Sequence, residues 1–142
     1  MSVLRIGIAG KIASGKSTIG KALAKELSCS LVSFGGILRR YSQAHDLSLD
    51  RESLQALGQN LIDTLGEAGF MDWAITNTPD VDWEYPLVLE GFRHVGSYER
   101  FVGLYPSALL VYCRVDREVQ IHRLKQRDGL TSENALSIMQ HT

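Results

Sequence analysis

VLRIGIAGKIASGKST, residues 3–18, divides into two halves with different physical signatures. Residues 3–9 are apolar and rich in branched side chains, the pattern of a short strand covered on both faces. From Gly10 the run becomes Gly10-Lys11-Ile12-Ala13-Ser14-Gly15-Lys16-Ser17, which meets every fixed position of G-x-x-x-x-G-K-[ST], with Thr18 behind it. Ile19, Ala22, Leu23 and Leu27 then recur at helical spacing with lysines between them. A buried strand, a glycine loop and a helix in that order make a phosphate-binding device. The glycines let the backbone wrap an anion closely, successive N–H groups face it, and the helix N-terminus adds partial positive charge. In such a loop Lys16 reaches the β- and γ-phosphates and the Ser17 hydroxyl ligates Mg²⁺. The predicted nucleotide-binding set is Gly10, Ala13, Ser14, Gly15, Lys16, Ser17 and Thr18.

The alternation of strand and helix continues downstream. Residues 30–34 predict a second strand closed by Gly35 and Gly36, and residues 37–44 a short helix carrying Arg39 and Arg40. Asp50 is placed to cap a helix with Leu54, Leu57, Leu61, Ile62 and Leu65 on one stripe, and a further helix is expected over residues 70–76. Residues 77–86, with two prolines, read as a loop. Residues 87–90 form a strand ending in an acid, 97–104 a helix and 108–115 another strand, after which Asp116 caps a helix to about residue 127 and Thr131 opens a last one. Strands alternating with helices imply a parallel sheet with right-handed crossovers. The expected fold class is α/β: a three-layer α/β/α P-loop NTPase fold with four visible strands.

Composition narrows the function. A chain of 142 residues with 44% hydrophobic and 22% charged content suits one soluble domain. A net charge of −1 supplies no basic field for nucleic acid or an anionic membrane, so any phosphate site must be local. Cys29 and Cys113 fit no zinc or CxxC spacing and read as buried free thiols, and His45, His94, His122 and His141 show no paired metal spacing. Residues 1–9 lack a basic leader, and no stretch approaches the roughly 20 apolar residues that span a bilayer. The expectation is a soluble, cytoplasmic protein without nucleic-acid or membrane partners.

A P-loop needs a carboxylate at the end of a neighbouring strand to orient Mg²⁺ or its waters. Glu90, closing Pro86-Leu87-Val88-Leu89-Glu90, fits that place, so the predicted metal set is Ser17 and Glu90. A glutamate there could instead act as a base toward a hydroxyl acceptor. Asp116 also follows a strand but reads better as a helix cap.

With these segments in hand, nearly the whole chain resembles the P-loop nucleoside and nucleotide kinases, the group of adenylate, cytidylate and phage-type deoxynucleotide kinases. The likeness rests on the P-loop, on Ser33-Phe34-Gly35-Gly36-Ile37-Leu38-Arg39-Arg40, on Glu90-Gly91-Phe92-Arg93 and on Arg123-Leu124-Lys125-Gln126-Arg127. It implies that Arg39 and Arg93 hold the acceptor's phosphate, and that Arg123 and Arg127, with Lys16, serve the transferring phosphoryl group. It also implies that Gln55, in Leu54-Gln55-Ala56-Leu57-Gly58-Gln59, reads the acceptor's base. The division it suggests is one kinase-like domain over 1–142, with a core at 1–34 and 86–142, a helical acceptor-binding insertion over about 35–78 and a lid over about 123–131. Physical chemistry points the same way, because transfer between two anions needs fixed positive charge where the equatorial oxygens develop charge, and arginine's planar fork suits it.

Two departures from that family stand out. Gly36 occupies the place of an aspartate common before the phosphate-binding arginine. The family's usual fifth strand is also missing, which leads to the expectation of a truncated chain, with strand one exposed or covered by a homo-oligomer or another partner. The leading expectation is an ATP- and Mg²⁺-dependent kinase acting on a nucleoside monophosphate or a similar phosphorylated acceptor. The alternatives are a small-molecule alcohol kinase with Glu90 as base, resembling dephospho-coenzyme A kinase, and a nucleotide-binding regulatory or assembly subunit with little turnover.

Overall fold

The computed structural model describes residues 3–129 and 131–140, so the ends of the predicted 1–142 domain and residue 130 of the predicted lid lie outside the described residues. The chain runs β1 (Arg5–Gly10), α1 (Lys16–Glu26), β2 (Ser30–Ser33), α2 (Phe34–Ala44), α3 (Arg51–Thr76), β3 (Leu87–Phe92), α4 (Val95–Leu104), β4 (Leu109–Cys113), α5 (Arg117–Asp128) and α6 (Ser132–Gln140). The sheet order is β2-β3-β1-β4, and every pairing is parallel. The predicted α/β class and its four strands are therefore observed.

Alternation along β3 separates the two helical layers. Leu87 and Leu89 pack with Phe34, Ile37, Phe70, Met71, Ala74 and Phe101, whereas Val88, between them, packs with Ile6, Ile8, Ala24 and Cys113. Successive strand side chains point to opposite faces, so α2, α3 and α4 cover one side of the sheet and α1 the other. Each cluster withdraws apolar surface from water, the main force holding the layers together.

Strand one is not an edge. It is paired with β3 on one side and β4 on the other, so the expectation that a missing fifth strand would expose it is corrected: among the described residues the unpaired edges belong to β2 and, beside β1, to β4. Leu109, Leu110 and Tyr112 are exposed there. The apolar run at β1 carries no information about which strand lies beside it.

The Gly35-Gly36 pair also behaves differently from its sequence reading. Ser33 ends β2 with extended geometry and its hydroxyl accepts from the Gly36 N–H at 2.9 Å, so α2 begins at Phe34 with both glycines in its first turn. A Cβ at Gly36 would stand 2.8 Å from Ser33 Oγ, which explains a residue without a side chain at this position.

The two helices expected over residues 51–65 and 70–76 are one 26-residue run broken at Gly66, where φ 78 and ψ 168 leave helical space. Asp50 caps it as predicted, accepting from the Ser53 N–H at 2.8 Å. The Ser48 hydroxyl, then the Ser53 amide and hydroxyl, lower the Asp50 pKa to about 2. Just past the break, Glu67 reaches α4: its Oε1 accepts from the Gly96 N–H at 2.8 Å and its carbonyl from Ser97 Oγ at 2.7 Å. Those bonds satisfy donors at the start of α4, which begins at Val95, ahead of its predicted start. Asp116 occupies the cap position of α5 without a side-chain cap bond, and Gly129 ends that helix in the left-handed conformation at φ 64.

Candidate active site

The carboxyl ends of the parallel strands, where loops feed the following helices, open onto a cleft of about 1670 Å³. Its walls come from the P-loop, the start of α2, the first half of α3, the end of β3 and the inner face of α5.

At the loop, Gly15 takes φ 95 to lead into α1, whose first turn holds Lys16, Ser17 and Thr18 and no acidic residue that would repel an anion. The Lys16 side chain is nearly buried and its Nζ donates to the Lys11 carbonyl at 2.8 Å, an acceptor shared with the Ser14 N–H at 3.2 Å. Ser14 Oγ is buried without a hydrogen-bond partner among the described residues. An orphaned hydroxyl and an amine parked on a carbonyl are donors suited to an arriving phosphate. Gly10 does not line the cleft. It ends β1 against β4, where a Cβ would lie 2.6 Å from Ser14 Oγ of the loop and 2.7 Å from the Cys113 carbonyl oxygen, so close approach of both the loop and the neighbouring strand accounts for it.

At the end of β3 the register shifts between Ile8 and Ala9, which face Glu90 and Phe92, so Gly91, at φ 107, bulges out of the ladder. Glu90 and Arg93 flank the bulge and both line the cleft. Burial raises the Glu90 pKa, opposed by Lys16 and Arg93. Burial likewise lowers the pKa of Lys16, with Glu90 opposing and Arg93 and Arg127 adding to the effect. Arg93 reaches solvent through the cleft mouth, yet its recess also lowers its pKa by desolvation, opposed by Glu90 and reinforced by Arg51. One carboxylate thus sits within the field of several cations, as a site built for polyanions requires.

Of the other sequence-predicted residues, Ala13, Ser14, Arg39, Gln55, Arg123 and Arg127 all line this cleft. Arg40 and Arg100, which belong to no predicted site set, lie outside it and pair on the surface with Asp80 at 2.9 Å and Asp72 at 2.8 Å. Sequence reasoning missed Arg51, Gln59 and the aromatic side chains of Phe34, Phe70 and Phe92, which also line it. Their shared signal was weak, because helix-face polar residues and core aromatics look alike in most sequences. Trp73 and Trp83 serve packing: Trp73 stacks on Phe70, and Trp83 is buried with its Nε1 donating to Thr78 Oγ1 at 3.1 Å.

A parallel sheet whose first strand delivers a glycine loop to a helix N-terminus, beside a cleft rimmed by arginines, defines a P-loop protein of the kinase type. Comparison with known proteins agrees. A family model described as an AAA domain matches residues 6–136. A cytidylate kinase from Ignicoccus hospitalis is 30% identical over 129 residues, 91% of this chain and 67% of that protein. Among solved structures, an uncharacterized protein from Eubacterium ventriosum aligns with a TM-score of 0.61 at 16% identity, over 96% of this chain and 69% of that one. A shikimate kinase from Bacteroides thetaiotaomicron aligns at 0.53 and 21% identity, over 97% and 76%. The chain belongs to the P-loop nucleotide kinase family. Among the described residues no helix is long and apolar enough to cross a membrane.

Proposed function

We propose that this protein transfers the γ-phosphoryl group of ATP to a nucleoside monophosphate or a similar small phosphorylated acceptor. The observation that carries the reading is one continuous cleft lined by Lys16 and Ser17 of the P-loop and also by Arg39, Arg93, Arg123 and Arg127. Such a cleft holds two anions together, and similarity to a cytidylate kinase favours a nucleotide as the second.

In this reading the loop amides, Ser14 and Lys16 hold the triphosphate, while Arg39 and Arg93 hold the acceptor's phosphate and Gln55 contacts its base. An acceptor phosphate oxygen attacks the γ-phosphorus as the bond to the β–γ bridging oxygen breaks, and ADP leaves with that electron pair. Arg123 and Arg127 stabilise charge on the equatorial oxygens. The acceptor oxygen is already ionised near neutral pH, so no strong base is needed. Ser17 and Glu90 fit Mg²⁺, a cation that usually takes one or two protein ligands and completes its shell with phosphate and water. When bound it neutralises charge on the β- and γ-oxygens.

A second reading follows from Glu90, whose raised pKa suits a base acting on a hydroxyl acceptor. The site is assigned to the cytoplasm in both readings, and any subunit or partner contact is placed along the edge of β4. The test is ADP production from ATP and Mg²⁺ across nucleoside monophosphates, deoxynucleotides, dephospho-coenzyme A and water, with Lys16→Ala as control. Turnover stimulated by a phosphorylated acceptor and lost in the control supports the proposal. ATP binding with no acceptor stimulation sinks it and favours a regulatory or assembly subunit.

A further inference from the structure

Gln120 is only 4% exposed, a burial that an amide tolerates when it is hydrogen-bonded. Its Nε2 donates to the Ile12 carbonyl at 2.7 Å. Three residues on, and so on the same face of α5, Arg123 Nη1 donates to the Ala13 carbonyl at 3.1 Å from an exposed position. One helix therefore grips two successive carbonyls of the P-loop. Between them Ala13 has φ 60, a left-handed conformation that costs a residue with a Cβ and persists only with support from outside.

Peptide geometry gives the grip a consequence. In a trans peptide the C=O of one residue and the N–H of the next point in opposite directions. Holding the Ile12 carbonyl toward Gln120 turns the Ala13 N–H away from that side chain, and Ala13 itself lines the cleft. The geometry points to Gln120 as a positioning residue for phosphate binding, its amide fixing the Ile12–Ala13 peptide so that the Ala13 N–H faces the bound nucleotide. This rests on the reading of the loop as the ATP site. The two grips differ in kind. Gln120 makes its bond from a buried position, whereas the exposed bond of Arg123 can be exchanged for the transferring phosphoryl group, so Gln120 keeps the loop shaped when Arg123 leaves it.

Two substitutions test the assignment. Gln120→Met keeps the length of the side chain and removes the donor, and Gln120→Glu sets an acceptor against a carbonyl oxygen. MgATP binding measured by calorimetry is expected to weaken about tenfold in Gln120→Met and further in Gln120→Glu. Hydrogen exchange at the Ala13 amide should quicken in both, while the melting temperature of Gln120→Met stays near that of the unaltered protein. Equal MgATP affinity in the unaltered protein and Gln120→Met overturns the assignment, as does weakened binding with unchanged exchange at Ala13. Absence of MgATP binding by the unaltered protein overturns the nucleotide reading itself, and this inference with it.

Discussion

The amine of Lys16 is held by the carbonyl of Lys11 at 2.8 Å, within the same loop. Five residues apart in sequence, the two close the loop on itself, and a phosphate must compete for that donor. Burial lowers the Lys16 pKa, so a dianionic ligand that restores favourable charge around the amine gains from the exchange. Lys16→Ala is expected to lower acceptor-stimulated ADP formation by at least about 100-fold, since it removes a charge that acts on the transition state. Melting without nucleotide should change little, and a steady-state assay paired with thermal denaturation separates the two.

Glu90 should leave a signature in stability. Its folded pKa lies above the ordinary 4.5, because burial disfavours the carboxylate more than Lys16 and Arg93 favour it. The folded state therefore binds the proton more tightly than the unfolded state. Its contribution is fully present below pH 4.5 and is lost as pH rises through the folded value. Glu90→Gln should accordingly raise the melting temperature of the ligand-free protein more at pH 7 than at pH 4, and equal shifts at both would contradict this. In turnover, the same variant with saturating Mg²⁺ should retain activity toward a phosphorylated acceptor, and lose it if the acceptor is a hydroxyl.

Arg39 and Arg93 line the cleft, whereas Arg40 pairs with Asp80 on the surface. Replacing either of the first two by Ala should raise the acceptor KM about 10- to 100-fold and leave the KM for ATP within a few-fold, since a charge-assisted bond is worth roughly 1.5–3 kcal/mol. Arg40→Ala should leave both kinetic constants unchanged, because exposed ion pairs contribute little. Initial-rate kinetics with each substrate varied in turn gives the answer.

Gly36→Asp, which installs the residue common in related kinases, should destabilise this protein rather than improve its grip on the acceptor. The new Cβ would press on Ser33 Oγ at 2.8 Å and disturb the cap of α2, at a cost of about 1 kcal/mol. Chemical denaturation measures it, and an unchanged midpoint would mean that the cap adjusts freely.

Glu67→Ala should cost about 1–2 kcal/mol by leaving the Gly96 N–H without its carboxylate partner. Because His94, beside Arg93, also faces Glu67 at 3.7 Å, the variant should raise the acceptor KM as well. A stability loss without that kinetic change would show that the contact serves only the fold.

Local patterns carried most of the secondary structure. The branched apolar run of β1, the Asp50 cap and the leucine stripe of α3 are short-range signals, and each element appeared where its pattern lies. Boundaries shifted where a tertiary partner intervened. Val95 and Gly96 join α4 because Glu67, 29 residues before Gly96, satisfies its first donors, and no local pattern encodes that.

From the sequence alone came the strand–loop–helix order, the phosphate-binding loop and the arginine segments, because a phosphate cradle is built from consecutive backbone groups whose glycine and lysine spacing is fixed locally. Only the tertiary structure decided that β1 lies inside the sheet and β4 at its edge, that Glu90 shares a desolvated field with Lys16 and Arg93, and that Gln120 grips the loop from α5. Those relations join residues up to 108 positions apart, and they depend on how layers pack and exclude water rather than on any run of neighbours.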